Sequence, residues 1–136
     1  MRKAKNILLV EDDEDDQQFF TEAINEIDNT ISLGFAVNGI DALSKLCKMI
    51  ILPDMIFMDI NMPLMNGLDC LKKLKSIARF QNIPVVILTT SSNVFDRQLP
   101  FALEASSYLS KPSDSLMLKK NIADMMNLYI SPPVVA

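Results

Sequence analysis

The side chains of this 136-residue chain that could do chemistry are carboxylates, hydroxyls and lysines, because it contains no histidine. That absence removes Ser-His-Asp triads, Cys-His pairs, histidine-based zinc helices and any phosphohistidine role. The acids are concentrated. Glu11, Asp12 and Asp13 directly follow an apolar run, Asn6–Val10, and Glu14, Asp15 and Asp16 extend the cluster. Asp59 ends a second run, Met55–Met58; Thr89 closes a third, Val85–Leu88; Lys111 follows a short fourth, Ser107–Leu109. Carboxylates gathered from separate runs repel one another and stay ionised only by sharing a cation. Oxygen-only ligands select a hard ion, and a site with few ligands that keeps its waters suits Mg²⁺ better than Ca²⁺. An aspartate beside Mg²⁺ and an ammonium group is placed to attack a phosphoryl group and form an acyl phosphate. Such transfer asks mainly for positioning and for neutralisation of the equatorial oxygens. Mg²⁺, Lys111 and the Thr89 hydroxyl would each hold one of them.

The elements that must position these residues follow from periodicity. Continuous apolar runs, as at Asn6–Val10, read as strands covered on both faces. The sequence predicts strands at Asn6–Val10, Ile31–Phe35, Met55–Met58, Val85–Leu88 and Ser107–Leu109. Between them lie amphipathic stretches. Phe19, Phe20, Ala23, Ile24 and Ile27 mark a first helix, capped by Asp13 or Glu14. Ile40, Ala42, Leu43, Leu46 and Cys47 mark a second, capped by Asn38. Leu68, Leu71, Leu74 and Ile77 mark a third, after a loop containing Asn61, Pro63, Asn66 and Gly67. A fourth begins at Ser92 or Asn93, and a last one, capped by Ser113, runs to Tyr129. Strands alternating with helices predict an α/β fold, a doubly wound five-stranded parallel sheet. In such sheets the functional crevice lies beyond the carboxyl ends of the strands, where the acids, Thr89 and Lys111 fall. Taken singly, Glu14, Asp15 and Asp16 read as the acidic first turn of a helix, favoured by its dipole.

Composition narrows the classes further. The length fits one domain with a real core, and 49% apolar residues argue against disorder. A net charge of −4 argues against a nucleic-acid surface. No run approaches the length of a membrane span, and the apolar stretch after the basic N-terminus is too short for a secretory signal. A cytoplasmic protein is expected, with Cys47 and Cys70 as reduced, small core residues. An EF-hand reading of the acidic run fails, because no glycine stands at its sixth position.

Four stretches, Ile7–Asp16 (ILLVEDDEDD), Met55–Gly67 (MIFMDINMPLMNG), Pro84–Ser92 (PVVILTTSS) and Tyr108–Pro112 (YLSKP), resemble in order and spacing the receiver (CheY-like) domain of two-component response regulators. The resemblance covers about Lys5 to Tyr129. It implies a flavodoxin-like (βα)5 fold with strand order 2-1-3-4-5, a receiver over residues 1–130 and a tail over 131–136. Asp59 matches the phosphoacceptor. Glu11 and Asp12 match the acidic pair that binds Mg²⁺, Asp12 directly and Glu11 largely through water, and the Asn61 backbone carbonyl completes the protein ligands. Thr89 and Tyr108 match the switch pair, Lys111 the family's lysine with a cis bond to Pro112, and Asn61 and Ser91 the positions that tune hydrolysis. The resemblance implies a signalling module that catalyses only its own phosphorylation and dephosphorylation and is not otherwise an enzyme. Its donor is a sensor histidine kinase or a histidine phosphotransfer protein. Its output is a conformational change of the face built by the fourth helix, fifth strand and last helix, with Phe95, Arg97, Phe101, Tyr108, Met117 and Lys119 as candidate contacts.

Three departures from the family pattern carry expectations. Thr90 is bulkier than the usual Ala or Gly. The turn Glu104–Ser107 lacks glycine. Pro100 falls within the fourth helical stretch and predicts a short or irregular helix there. No output domain follows the last helix, so a stand-alone regulator is expected, monomeric or weakly dimeric, that signals through an unknown protein partner. The alternative is an interaction module of the same fold that is not phosphorylated. A haloacid-dehalogenase-type phosphatase is disfavoured, because its motif needs a second Asp where Asn61 stands and belongs on the first strand.

Overall fold

The computed structural model describes residues 5–89, 105–111 and 114–130, excepting the side chains of Thr89 and Ser110. The expected fourth helix, its Pro100 irregularity, Thr90, Ser91, the Lys111–Pro112 bond, and Phe95, Arg97 and Phe101 all lie outside these residues. In chain order the elements are β1 (Asn6–Val10), α1 (Glu14–Ile27), β2 (Ser32–Ala36), α2 (Gly39–Lys48), β3 (Met55–Asp59), α3 (Gly67–Ser76), β4 (Val85–Thr89), β5 (Ser107–Ser110) and α4 (Ser115–Tyr129), the last helix. The strands form one parallel sheet in the order β2-β1-β3-β4-β5. This is the doubly wound, flavodoxin-like arrangement expected from the sequence.

The inner strands β1, β3 and β4 are almost wholly apolar because both faces are covered, whereas β2 and β5, at the sheet edges, are only partly buried; the period of two sorts the side chains into two cores. Ile7, Leu9, Met55, Phe57, Val86 and Leu88 pack under α1 and α4 with Phe20, Ile24, Leu118, Ile122 and Met126. Leu8, Val10, Ile56, Met58, Val85 and Ile87 pack under α2 and α3 with Ala42, Leu46, Cys70, Leu71 and Leu74. Phe20 meets Phe57 edge-on, ring centroids 4.9 Å apart. Each fully buried aliphatic side chain contributes about 1.5–3 kcal/mol.

Caps set the helix starts. Asp13 accepts from the Asp16 N–H at 3.0 Å, Asn38 from Asp41 at 2.8 Å and Asn66 from Asp69 at 2.8 Å. The cap of α4 is Asp114, which accepts from the Leu116 N–H at 2.9 Å, one residue beyond the expected Ser113. Cys47 corrects a second expectation: it is exposed, whereas Cys70 is buried. Ala42 and Leu46, four apart, already form the inner stripe of α2, so Cys47, 100° further round, turns outward. The glycine-free turn before β5 is accommodated by Ser106. Its N–H donates to the Val85 carbonyl at 2.9 Å, its hydroxyl accepts from the Val85 N–H at 3.3 Å, and its own carbonyl accepts from the Tyr129 hydroxyl.

Candidate functional site

Register assembles the site. Val10 stands beside Met58, so the next residues, Glu11 and Asp59, end their strands abreast. Asp59 stands beside Leu88, and Thr89 beside Ser110, which carries the chain into Lys111. Alternation past Leu9 and Phe57 turns Glu11 and Asp59 toward the α1/α4 side of the sheet. The ladder continues one residue beyond β1 and β3, with the Glu11 N–H donating to the Ala36 carbonyl at 2.8 Å and the Ile60 N–H to the Leu88 carbonyl at 3.1 Å.

Glu11 and Asp59 are buried, and Asp12 is exposed at the mouth. A ligand oxygen from each of Glu11, Asp12 and Asp59 lies within 4.8 Å of the others. The Lys111 ammonium faces this cluster. It donates to Glu11 Oε1 and, at 3.0 Å, to Asp16 Oδ2, and it stands 3.5 Å from Asp59 Oδ2. Burial pushes Glu11 upward, and the charge of Asp59 adds to this against the opposing hydrogen bond from Lys111. Burial also raises Asp59, more than Lys111 and the hydrogen bonds from Glu11 and the Asn61 N–H can lower it. For Lys111, burial alone would lower the ammonium; the carboxylates of Glu11, Asp16 and Asp59 outweigh it and hold the group above its usual range.

The donor set fits a hard divalent cation. Three carboxylates from two strand ends offer only oxygen, two of them are desolvated and close to each other, and the single lysine leaves the group net negative. Glu11, Asp12 and Asp59 would hold such an ion.

The loop after β3 packs closely on the backbone of Asp59. The Gly67 N–H donates to the Ile60 carbonyl at 2.9 Å, and a Cβ on Gly67 would run into the Asp59 carbonyl. The Met65 N–H closes onto the Pro63 carbonyl at 2.7 Å across Leu64, whose φ is 67°. This is a tight three-residue turn with an 82% exposed leucine at its tip. Asn61 is exposed beside Asp59.

Of the expected site residues, Glu11, Asp12, Asp59 and Lys111 converge. Thr89 ends the neighbouring strand, but its hydroxyl lies outside the described residues. Tyr108 stands beside Ile87 and is half-buried against the α2/α3 core. Lys119 reaches Glu26 of α1, 3.8 Å away, and Met117 is exposed. The residue that sequence reasoning missed is Asp16, read there as an ordinary first-turn acid. One signal was present. With Asp13 as N-cap, Asp16 is the third helical residue, and helical side chains lean back toward the N-terminus, here the strand end.

Among the described residues, no helix is long and apolar enough to cross a membrane. The family model for the response regulator receiver domain matches residues 7–123. Similar proteins include a probable transcriptional regulator, ycf29, of Porphyra purpurea, 35% identical over 80% of this chain and 50% of that protein. Another is the response regulator Rre1 of Synechocystis sp., 32% identical over 88% and 51%. The chain thus spans about half the length of these curated relatives. Among solved structures, the phosphorylated cyanobacterial phytochrome response regulator RcpA superposes with a TM-score of 0.87 at 26% identity, covering 97% of this chain and 98% of that one. The Mn²⁺-bound response regulator Rcp1 gives 0.82 at 28% identity, covering 97% and 99%.

Proposed function

The chain belongs to the response regulator receiver family, and from that premise we propose that it accepts a phosphoryl group on Asp59 from a phosphohistidine of a sensor histidine kinase or histidine phosphotransfer protein, with Mg²⁺ as cofactor. The observation that carries this reading is the convergence of Glu11, Asp12 and Asp59 within 4.8 Å, with Lys111 facing them. An Asp59 carboxylate oxygen attacks phosphorus, the P–N bond of the donor breaks, and its electron pair returns to the imidazole, leaving an acyl phosphate on Asp59. Attack of water on phosphorus later regenerates the carboxylate and releases inorganic phosphate. Mg²⁺, when bound, would offset the negative charge of the carboxylates and of the phosphoryl oxygens. Lys111 supplies an ammonium to one phosphoryl oxygen. The Thr89 hydroxyl is assigned to another, and Asn61 and Ser91 to the flanks of the acyl phosphate.

The Mn²⁺-bound Rcp1 and the phosphorylated RcpA support the metal and the modification. The output in this reading is a population shift: Thr89 and Tyr108 turn toward the phosphoryl group, and the surface around β5 changes its affinity for a protein partner. The same reading makes the chain a cytoplasmic signalling module that catalyses its own phosphorylation and dephosphorylation.

Incubation with a small phosphodonor and Mg²⁺ tests the proposal. A mass gain of one phosphoryl group that disappears in Asp59→Asn is expected. No gain in the wild-type protein would leave an interaction module of the same fold.

A further inference from the structure

The Lys111 ammonium has three N–H donors and, among the described residues, three carboxylates around it: Glu11, Asp16 and Asp59. Glu11 and Asp59 belong to the oxygen cluster fitted for a cation, and Asp16 stands outside it, on the first turn of α1. Lys111, Glu11 and Asp16 also border a cavity of about 160 Å³ whose other walls are Leu9, Phe19, Phe20, Leu88 and Leu118. Tight apolar packing therefore does not fix the side chain on that flank, and the carboxylates hold the ammonium. Once a cation and a phosphoryl group engage Glu11 and Asp59, Asp16 is the one carboxylate of the three left wholly to Lys111.

We propose that Asp16 is a positioning residue that competes with the phosphoryl oxygens for the Lys111 ammonium, and so sets the balance between cation binding and phosphoryl binding at Asp59. The inference rests on the phosphoacceptor reading above. Its physical basis is one unit of charge. Asp16 neutralises Lys111 as seen by the cation and draws it away as seen by the phosphoryl group. Losing that charge weakens the cation's binding and strengthens the anion's. A residue that merely supported α1 would loosen both together.

The test uses Asp16→Asn and a second neutral variant, Asp16→Gln, with Asp16→Glu to restore the charge and Asp15→Asn as a control on the same helical turn. Asp16 is nearly half exposed at 46%, and thermal melts establish that each variant is folded. Mg²⁺ affinity is measured by calorimetry on the unphosphorylated protein. The affinity for beryllofluoride, an anionic mimic of the phosphoryl group, is measured at saturating Mg²⁺. Asp16→Asn and Asp16→Gln are expected to weaken Mg²⁺ binding about three- to tenfold and to tighten beryllofluoride binding by a similar factor. Asp16→Glu and Asp15→Asn should stay near the wild type. Affinities that do not move, that weaken together, or that shift equally in Asp15→Asn or Asp16→Glu overturn the assignment while leaving the phosphoacceptor reading intact. A wild-type protein that binds neither probe overturns both, a distinct result.

Discussion

Asp59 is held where ionisation is disfavoured. Its pKa is raised in the folded protein, first by burial, so the ionised form costs stability at neutral pH, and stability recovers as pH falls through the raised value. Asp59→Asn, neutral at every pH, should therefore melt a few degrees above the wild type at neutral pH without divalent cation, and the difference should shrink toward acid pH. Melting curves at two pH values check this. The same desolvated oxygens gain most from a cation. Mg²⁺ at a hundred times its dissociation constant should stabilise the wild type by about 2.7 kcal/mol. Asp12→Asn, which removes the exposed ligand, should lose most of that gain in the same thermal assay. At this scale Glu11, Asp12, Asp59 and Lys111 were legible in the sequence because each stands at or just past the carboxyl end of a strand. Asp16 was not, since its partner lies 95 residues away and a first-turn acid has a sufficient local explanation. Cys47 was misread for a related reason, being one position past the apolar stripe that Leu46 completes.

Two helix starts follow the strand ends that carry the site, those of α3 and α2. Gly67 begins α3 against the backbone of Asp59, where no side chain fits. Gly67→Ala should cost about 1–3 kcal/mol by overpacking, and it should lower phosphorylation of Asp59 more than stability alone explains. Comparing the mass shift at temperatures where both proteins are folded separates the two effects. On the other flank, the start of α2 is closed reciprocally: Asn38 accepts from the Asp41 N–H, and Asp41 accepts from the Val37 N–H at 3.0 Å. That hydrogen bond, then the Lys45 ammonium, lowers Asp41 from its usual 3.8. A depressed carboxylate contributes stability above its unfolded value and loses it as pH falls through the folded one. Asp41→Asn should therefore melt slightly lower than the wild type at neutral pH and equally at strongly acid pH. Strand positions were readable to within a residue or so, because doubly covered strands are continuous apolar runs. The cap of α4 was not, because Ser113 and Asp114 are both good N-caps and only the backbone geometry selects between them.

Across the whole molecule, the sheet divides the interior into two cores that share a backbone but no side chains. Conservative truncations on opposite sides, such as Ile24→Val and Ile87→Val, should each cost about 0.5–1.5 kcal/mol. Their double variant should match the sum within about 0.5 kcal/mol in denaturant titrations. Glu11, Asp16, Asp59 and Lys111 all lie on the α1/α4 side or at its edge. Core substitutions on that side therefore act directly beneath the carboxylates, whereas those on the other side reach them through the backbone, as at Gly67 against Asp59.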